Sequence, residues 1–340
     1  QNVKWSFLFV INHKMIYYMV QVMIMEKYIN IFVDESYPDF IDKYLTTKTL
    51  TRLKYVTQFC GCDYTKMYSP LFLYTRFDHS LVVAHMTWHF THDKKETIAA
   101  LLHDAGTPCF AHCIDYVFGD YVNQESSEKK ISDIVLQDKE ILQFLKEDSV
   151  DLVDLDDFSR FQILENKSPK LCTDRLDGVL HTCYIWLHTH SLEQIKEVYN
   201  NMVILKNEDG DLEIGFRDLK IAEKFVCMVY NYAKELQRNT DKYVMKYISE
   251  IVKLAVQRNL VSLEDLYTKR EKDICDIFAA NFLSWSIFNE ASTLVQSEIE
   301  PSDVFYISFD TKKRNAIPLI QTPYGSRRIT EVSHNALQKY

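Results

Sequence analysis

Apolar and polar positions along this chain alternate mostly with the period of a helix. Between Asp93 and Pro108, Ile98, Leu101, Leu102 and Ala105 fall at i, i+3, i+4 and i+7, one buried face. Asp93 predicts the N-cap of that helix, Glu96 follows at capping-box spacing, and Gly106 and Pro108 end it. Residues 36–60 and 78–92 read as helices on either side of a linking loop from Gly61 to Pro70. Further helices are predicted over 114–122, 128–147 and 158–165. A long helix is predicted over 170–190, with Leu171, Leu176, Val179, Leu180, Cys183 and Leu187 inward. Ser191 with Gln194 caps the next one. The period changes over 201–216, where two short apolar stretches flank Asp209-Gly210, a hairpin signal. Helical spacing returns from Asp218 to Leu236 and runs on to about residue 296. Residues 303–320 predict a second hairpin, with Pro318 on an edge strand. The pattern therefore predicts a mainly α fold with small β-hairpin decorations. It divides into an N-terminal helical segment (1–60), a core (61–200) and a C-terminal helical section with hairpins (201–340).

Composition agrees with a buried helical core. Of 340 residues 47% are apolar and 26% charged, and 7 Gly and 7 Pro are too few for a turn-rich β-sandwich. A net charge of −9 argues against a general nucleic-acid binder, which needs a basic face. The 8 cysteines are scattered, and Cys109, His112 and Cys113 lack an evident fourth ligand. They read as free buried thiols in a reducing compartment, which gives a cytoplasmic expectation. Residues 15–25 form an apolar run of 11, too short to span a bilayer and followed by no small-residue cleavage site. A core helix, a strand or a translated leader before Met25 all remain open for it. No membrane partner is expected.

One stretch does not suit a plain core. His103-Asp104 closes the apolar run AALLHDAG, and polar groups placed there cost stability unless paired or bound to metal. His79 lies 24 positions earlier in TRFDHSLVVAH, and Asp174 lies 70 positions after Asp104 in KLCTDRLDG. Two imidazoles and two carboxylates make a mixed nitrogen and oxygen site. Such a set suits Mn²⁺, Fe²⁺, Ni²⁺, Co²⁺ or Zn²⁺ better than Ca²⁺, with Mg²⁺ as the hard-ion alternative. His85, His89 and His92 also share helical spacing, and read as a helix face rather than a second metal stripe. The same holds for His188 and His190, and Lys312-Lys313-Arg314 reads as a solvated turn.

RFDHSLVVAH, ALLHDAGTPCFAH and TDRLDG, in that order, resemble the H…HD…D pattern of the HD superfamily of metal-dependent phosphohydrolases. The branch most alike is that of deoxynucleoside triphosphohydrolases and SAM-and-HD-domain proteins, over roughly residues 74–183. The resemblance implies an HD-domain helical bundle holding one divalent metal on His79, His103, Asp104 and Asp174. It implies that Arg76 faces a substrate phosphate and that Asp115 works at the metal; Arg175 and Thr107 join as substrate-side residues. Asp115, His112 and Glu125, in that order, are the candidates for the general acid. Thr107 stands where the family has a histidine, Gln124-Glu125 where it has a His-Glu pair, and Gly178 where a tyrosine packs a sugar. The expected activity is hydrolysis of a phosphoester in a nucleotide or another small phosphorylated molecule. The alternative is a catalytically impaired nucleotide-binding or regulatory protein. A homo-oligomer follows only by analogy with relatives.

Overall fold

The structure is a computed structural model that describes residues 13–120, 131–299, 302, 305–307 and 314–340, with side chains from residue 19. The apolar run near the N-terminus is helical, α1 His13–Ile29, and inserts Tyr28 into the core. The stretch expected to be one helix over 36–60 keeps only a 3-10 turn, Asp39–Ile41, and a short α2, Lys48–Leu53. Then come α3 Arg76–Thr91, α4 Lys94–Leu102 and α5 Cys113–Val117. The remainder of the first half is α6 Ile131–Val135, α7 Lys139–Glu147, α8 Leu152–Leu155 and α9 Thr173–His181. Helix α10, Leu192–Asn200, starts from the Ser191–Gln194 capping box read in the sequence. Strands β1 Met202–Lys206 and β2 Leu212–Phe216 are followed by α11 Leu219–Glu235, α12 Asn239–Gln257, α13 Asp265–Thr268, α14 Glu271–Asn281 and α15 Leu283–Glu290. Strands β3 Leu319–Thr322 and β4 Gly325–Arg328 and two short helices, α16 Ile329–Val332 and α17 His334–Leu337, complete the described chain.

The mainly α reading holds, with minor β structure. The sheet runs β1-β2-β3-β4, with the β1–β2 and β3–β4 pairs antiparallel and β2–β3 parallel. The first hairpin turns at Asp209-Gly210, where Gly210 takes φ +87°. At Gly215 a Cβ would come within 2.6 Å of Leu205 Cδ1 and 2.8 Å of the Leu319 carbonyl oxygen, so only glycine lets β3 pair there. The second hairpin lies later than expected: residues 314–318 form no strand, and the turn falls between Thr322 and Gly325. Much of the predicted first strand lies outside the described residues.

Two hydrophobic clusters make the core. The larger draws on residues from Tyr28 to Ala336, including Val82, Met86, Leu176 and Ile248. The smaller gathers Ile41, Leu50, Val83, Ala84 and the run Ile98–Leu102. Helix α3 feeds both, so its remaining face lies at their seam. Helix α4 is buried on all sides rather than on one face, from Glu96 to Leu102. Its Asp93 cap accepts the Glu96 N–H at 2.8 Å. The Glu96 carboxylate does not return to the cap; it accepts the N–H groups of Ile163 and Leu164 at 3.1 and 3.0 Å. That bond replaces the helix expected over 158–165, leaving a 3-10 turn at Phe158–Arg160. The expected helix over 170–190 begins only at Thr173 and passes into a π-type turn, Thr182–Trp186.

Candidate metal centre

Three helices bring the ligand candidates together. Thr75 caps α3 through a capping box with Asp78, which fixes the first turn and therefore Arg76 and His79. His103 and Asp104 follow the buried α4 directly, and Asp174 stands in the first turn of α9. His79 Nε2 lies 3.1 Å from Asp174 Oδ1 and 3.3 Å from His103 Nε2. His103 Nε2 lies 3.6 Å from Asp174 Oδ1 and 3.7 Å from Asp104 Oδ2, and His79 Nε2 lies 3.8 Å from that same oxygen. Neighbouring ligands of one ion, each bound at about 2.1 Å, stand roughly 3.0–3.5 Å apart. His79, His103 and Asp104 could therefore hold a divalent ion, and Asp174 Oδ1 lies beside both imidazole nitrogens.

The outward ring nitrogens are already committed. His79 Nδ1 lies 2.6 Å from Asp177 Oδ2, and His103 Nδ1 lies 2.6 Å from the Ala100 carbonyl oxygen. With Nδ1–H donating on both rings, both Nε2 lone pairs face inward at 3.3 Å, an arrangement that needs a cation between them. Asp177 also accepts the hydroxyls of Tyr28 at 2.9 Å and Tyr74 at 3.1 Å, and lies 3.3 Å from His181 Nδ1. A second grouping of His79, Asp177 and His181 is therefore the outer support of the first: its carboxylate is filled by protein donors.

The charges favour a bound cation. Burial works to lower the His79 imidazole, but its hydrogen bonds to Asp174 and Asp177 outweigh it and push it up to about 10. His103 is raised against burial by the charge of Asp104 and the bond to Asp174. Burial opposes ionisation of Asp104, yet Arg76, then His103 and His79, hold it below the ordinary carboxylate range. Asp174 is likewise held well below that range, against burial, by the two histidines. A metal ion bound here would displace the protons that these raised imidazoles hold.

The cluster forms part of the wall of a cavity of about 340 Å³. Arg76 lines it, and its Nη1 donates to both oxygens of Asp104 at 3.0 and 2.9 Å. Thr107 adds its hydroxyl to Asp104 Oδ1 at 2.8 Å, so it braces that carboxylate. Arg175 also lines the cavity, but its guanidinium is held by Asn166 and the Lys170 carbonyl, which shape the loop before α9. His112 reaches the cavity, and its Nδ1 lies 3.1 Å from Asp115 Oδ2. Asp115 itself is fully buried, behind His112. Burial lowers the His112 imidazole more than that carboxylate raises it, with Arg314 and Arg76 adding to the fall. Glu125 lies outside the described residues.

Some cavity residues gave no sequence signal. Glu165 lines the cavity and is pushed up to about 7 by burial and the charge of Asp174. It is a lone acid in a loop, without period or motif. Tyr232, from α11, covers Gly178: a Cβ there would meet its hydroxyl at 3.8 Å. Lys242, ion-paired with Asp241 at 3.0 Å, and Arg314 line the cavity too. The other histidines read as a helix face do not converge: His85 packs on Tyr37, and His89 bonds Asp34 at 2.7 Å. All eight cysteines are free, and only Cys227 is exposed. Among the described residues no helix is long and apolar enough to cross a membrane.

No family model matches the chain. It is similar to "Uncharacterized protein YdhJ" of Bacillus subtilis (strain 168), 29% identical over 210 residues, covering 61% of this chain and 62% of that protein. It is also similar to "Uncharacterized protein MG461" of Mycoplasma genitalium, 27% identical over 207 residues, covering 54% of this chain and 48% of that one. The matched stretches thus span less than two thirds of either relative's length. Among solved structures, a hypothetical protein from Aquifex aeolicus superposes with a TM-score of 0.56 at 16% identity, over 86% of this chain and 88% of its own. That likeness extends to the fold of nearly the whole chain. What is established is a mostly helical protein with buried His/Asp clusters able to hold a metal ion.

Proposed function

We propose that this chain is a metal-dependent phosphohydrolase of the HD type, cleaving a phosphoester of a nucleotide or another small phosphorylated molecule. The observation that carries the reading is the convergence of His79 Nε2, His103 Nε2, Asp104 Oδ2 and Asp174 Oδ1 on one wall of a cavity that also holds His112. A divalent ion bound by these four would supply positive charge to the phosphoryl oxygens and activate water for attack. The chain's own groups do the remainder. Asp177 and the Ala100 carbonyl fix the two imidazole rings. Arg76 and Thr107 hold the Asp104 carboxylate. His112, oriented by the buried Asp115, is the group placed in the cavity to exchange a proton with the reacting oxygens, and so precedes Asp115 among the candidates for proton transfer. Arg76 and Arg314 offer positive charge to the non-bridging oxygens.

The test is release of phosphate from nucleotides and simple phosphoesters with Mn²⁺, Fe²⁺, Co²⁺, Ni²⁺ and Mg²⁺, beside Asp104→Ala. Turnover by the wild type alone supports the reading. A second reading is an HD-fold regulatory binder that keeps its metal without turnover, and Thr107 favours it: its hydroxyl donates to Asp104 and, unlike an imidazole, does not titrate near neutral pH. Tight nucleotide binding with no hydrolysis by the metal-loaded protein would select that reading.

A further inference from the structure

His112 sits at the end of a loop whose shape its own residues disfavour. Phe110 and Ala111 both take left-handed backbone angles, φ +63° and +43°, and neither is glycine. Such positions are disfavoured for residues other than glycine and persist only where the surroundings hold them. The holding groups come from distant parts of the chain. Glu271, the first residue of α14, is fully buried, and its Oε2 accepts the Phe110 N–H at 2.7 Å. Its Oε1 accepts the hydroxyls of Thr57 at 3.0 Å and Tyr64 at 2.7 Å, which fix the carboxylate in turn. The Leu266 carbonyl accepts the Cys109 N–H at 2.8 Å. From the opposite side Arg52 donates to the carbonyls of Ala105 and Thr107 at 3.0 and 2.7 Å. The loop between Asp104 and His112 is therefore tied at four residues, and the tie adjoining the strained pair is Glu271.

We infer that Glu271 is a positioning residue for His112, setting the imidazole in the cavity by fixing the Phe110–Ala111 backbone. A buried glutamate that merely supports the fold would affect stability without moving one ring. A positioning residue moves His112 in a protein that is still folded. The catalytic consequence rests on the proposed role of His112; the structural one does not.

The test is the ring ¹⁵N resonances of His112 in the metal-free full chain, for the wild type, Glu271→Gln, Glu271→Asp, Glu271→Ala and Glu271→Ala with Ala111→Gly. Glu271→Gln keeps an acceptor for Phe110 and is expected to leave the resonances in place. Glu271→Asp withdraws the carboxylate by one methylene, and Glu271→Ala removes it; both are expected to shift or broaden the His112 signals. Adding Ala111→Gly lowers the cost of the left-handed angle and is expected to restore them in part. With bis(p-nitrophenyl) phosphate as probe, kcat is expected to fall about 10–100-fold in Glu271→Ala, with KM and metal affinity little changed. If Glu271→Ala does not fold, Glu271→Asp decides. Unmoved His112 resonances in a folded Asp or Ala variant would overturn the inference. A wild type inactive on every phosphoester would instead remove the proposed function, and the resonances would still decide the role of Glu271.

Discussion

At the scale of single residues, the arrangement behind the proposed ligands is as informative as the ligands themselves. Asp177 holds the outward nitrogen of His79 while accepting two tyrosine hydroxyls, so its replacement should loosen the ring without removing a ligand. Asp177→Asn is expected to weaken metal binding about 10–100-fold, measured by calorimetric titration with Mn²⁺. An unchanged affinity would mean that the ring is held by packing alone. His112→Ala is expected to lower kcat about 10²–10⁴-fold with metal content intact, and Asp115→Asn by less, since the imidazole remains. Equal loss of metal in His112→Ala would instead make it a support of the ligand cluster. The sequence made His103-Asp104 legible because a polar pair at the close of an apolar helix has few stable explanations. Asp177 was hidden because its value lies in four partners scattered from Tyr28 to His181. Asp115 was placed at the metal by resemblance, whereas its burial puts it behind His112.

Whole elements decide how those residues are presented. The capping box of Thr75 and Asp78 defines the turn that carries Arg76 and His79. Thr75→Ala is expected to cost about 1 kcal/mol in chemical denaturation and to weaken metal binding together with stability. A stability loss with unchanged metal affinity would show that α3 is placed by its core contacts alone. The 3-10 turn Cys62–Tyr64 brings Asp63 close to Glu271. Burial, then the charge of Glu271, pushes Asp63 up to about 7, against an ordinary value of 3.8. The folded state therefore binds a proton that the unfolded chain releases between those values. This contribution is fully present below 3.8 and is lost as pH rises through about 7. Between pH 4 and 8 the Tm of the wild type should fall relative to that of Asp63→Asn; parallel curves would contradict the assignment. Helix α4 was readable from its apolar run between the Asp93 cap and the Gly106–Pro108 stop, although it is buried on all sides and not on the one face that the spacing predicted. The helix expected over 158–165 was not, because the Glu96 carboxylate takes the backbone N–H groups of Ile163 and Leu164. No local pattern reports a bond across 67 positions.

Across the molecule, the candidate centre lies where two cores meet, with α3 shared between them. The C-terminal sheet reaches the same region. Glu213, fully buried on β2, accepts the Leu171 N–H at 2.9 Å and both terminal nitrogens of Arg328 at 2.6 and 2.7 Å. The loop entering α9, and with it Asp174, is thus fixed by strands whose existence at 201–216 the sequence showed and whose pairing with β3 it did not. The parallel β2–β3 pair joins segments about a hundred residues apart, which no hairpin signal can encode. The most direct measurement is metal content by mass spectrometry after loading with Mn²⁺ or Fe²⁺ and exhaustive dialysis, for the wild type and Asp174→Ala. Asp174 is the most exposed of the four proposed ligands, its side chain 36% accessible against 2–8% for the others, so its removal should leave the fold intact. One equivalent in the wild type and a large loss in folded Asp174→Ala is the expected result. A metal-free wild type, or equal metal in both, would contradict a centre built from His79, His103, Asp104 and Asp174.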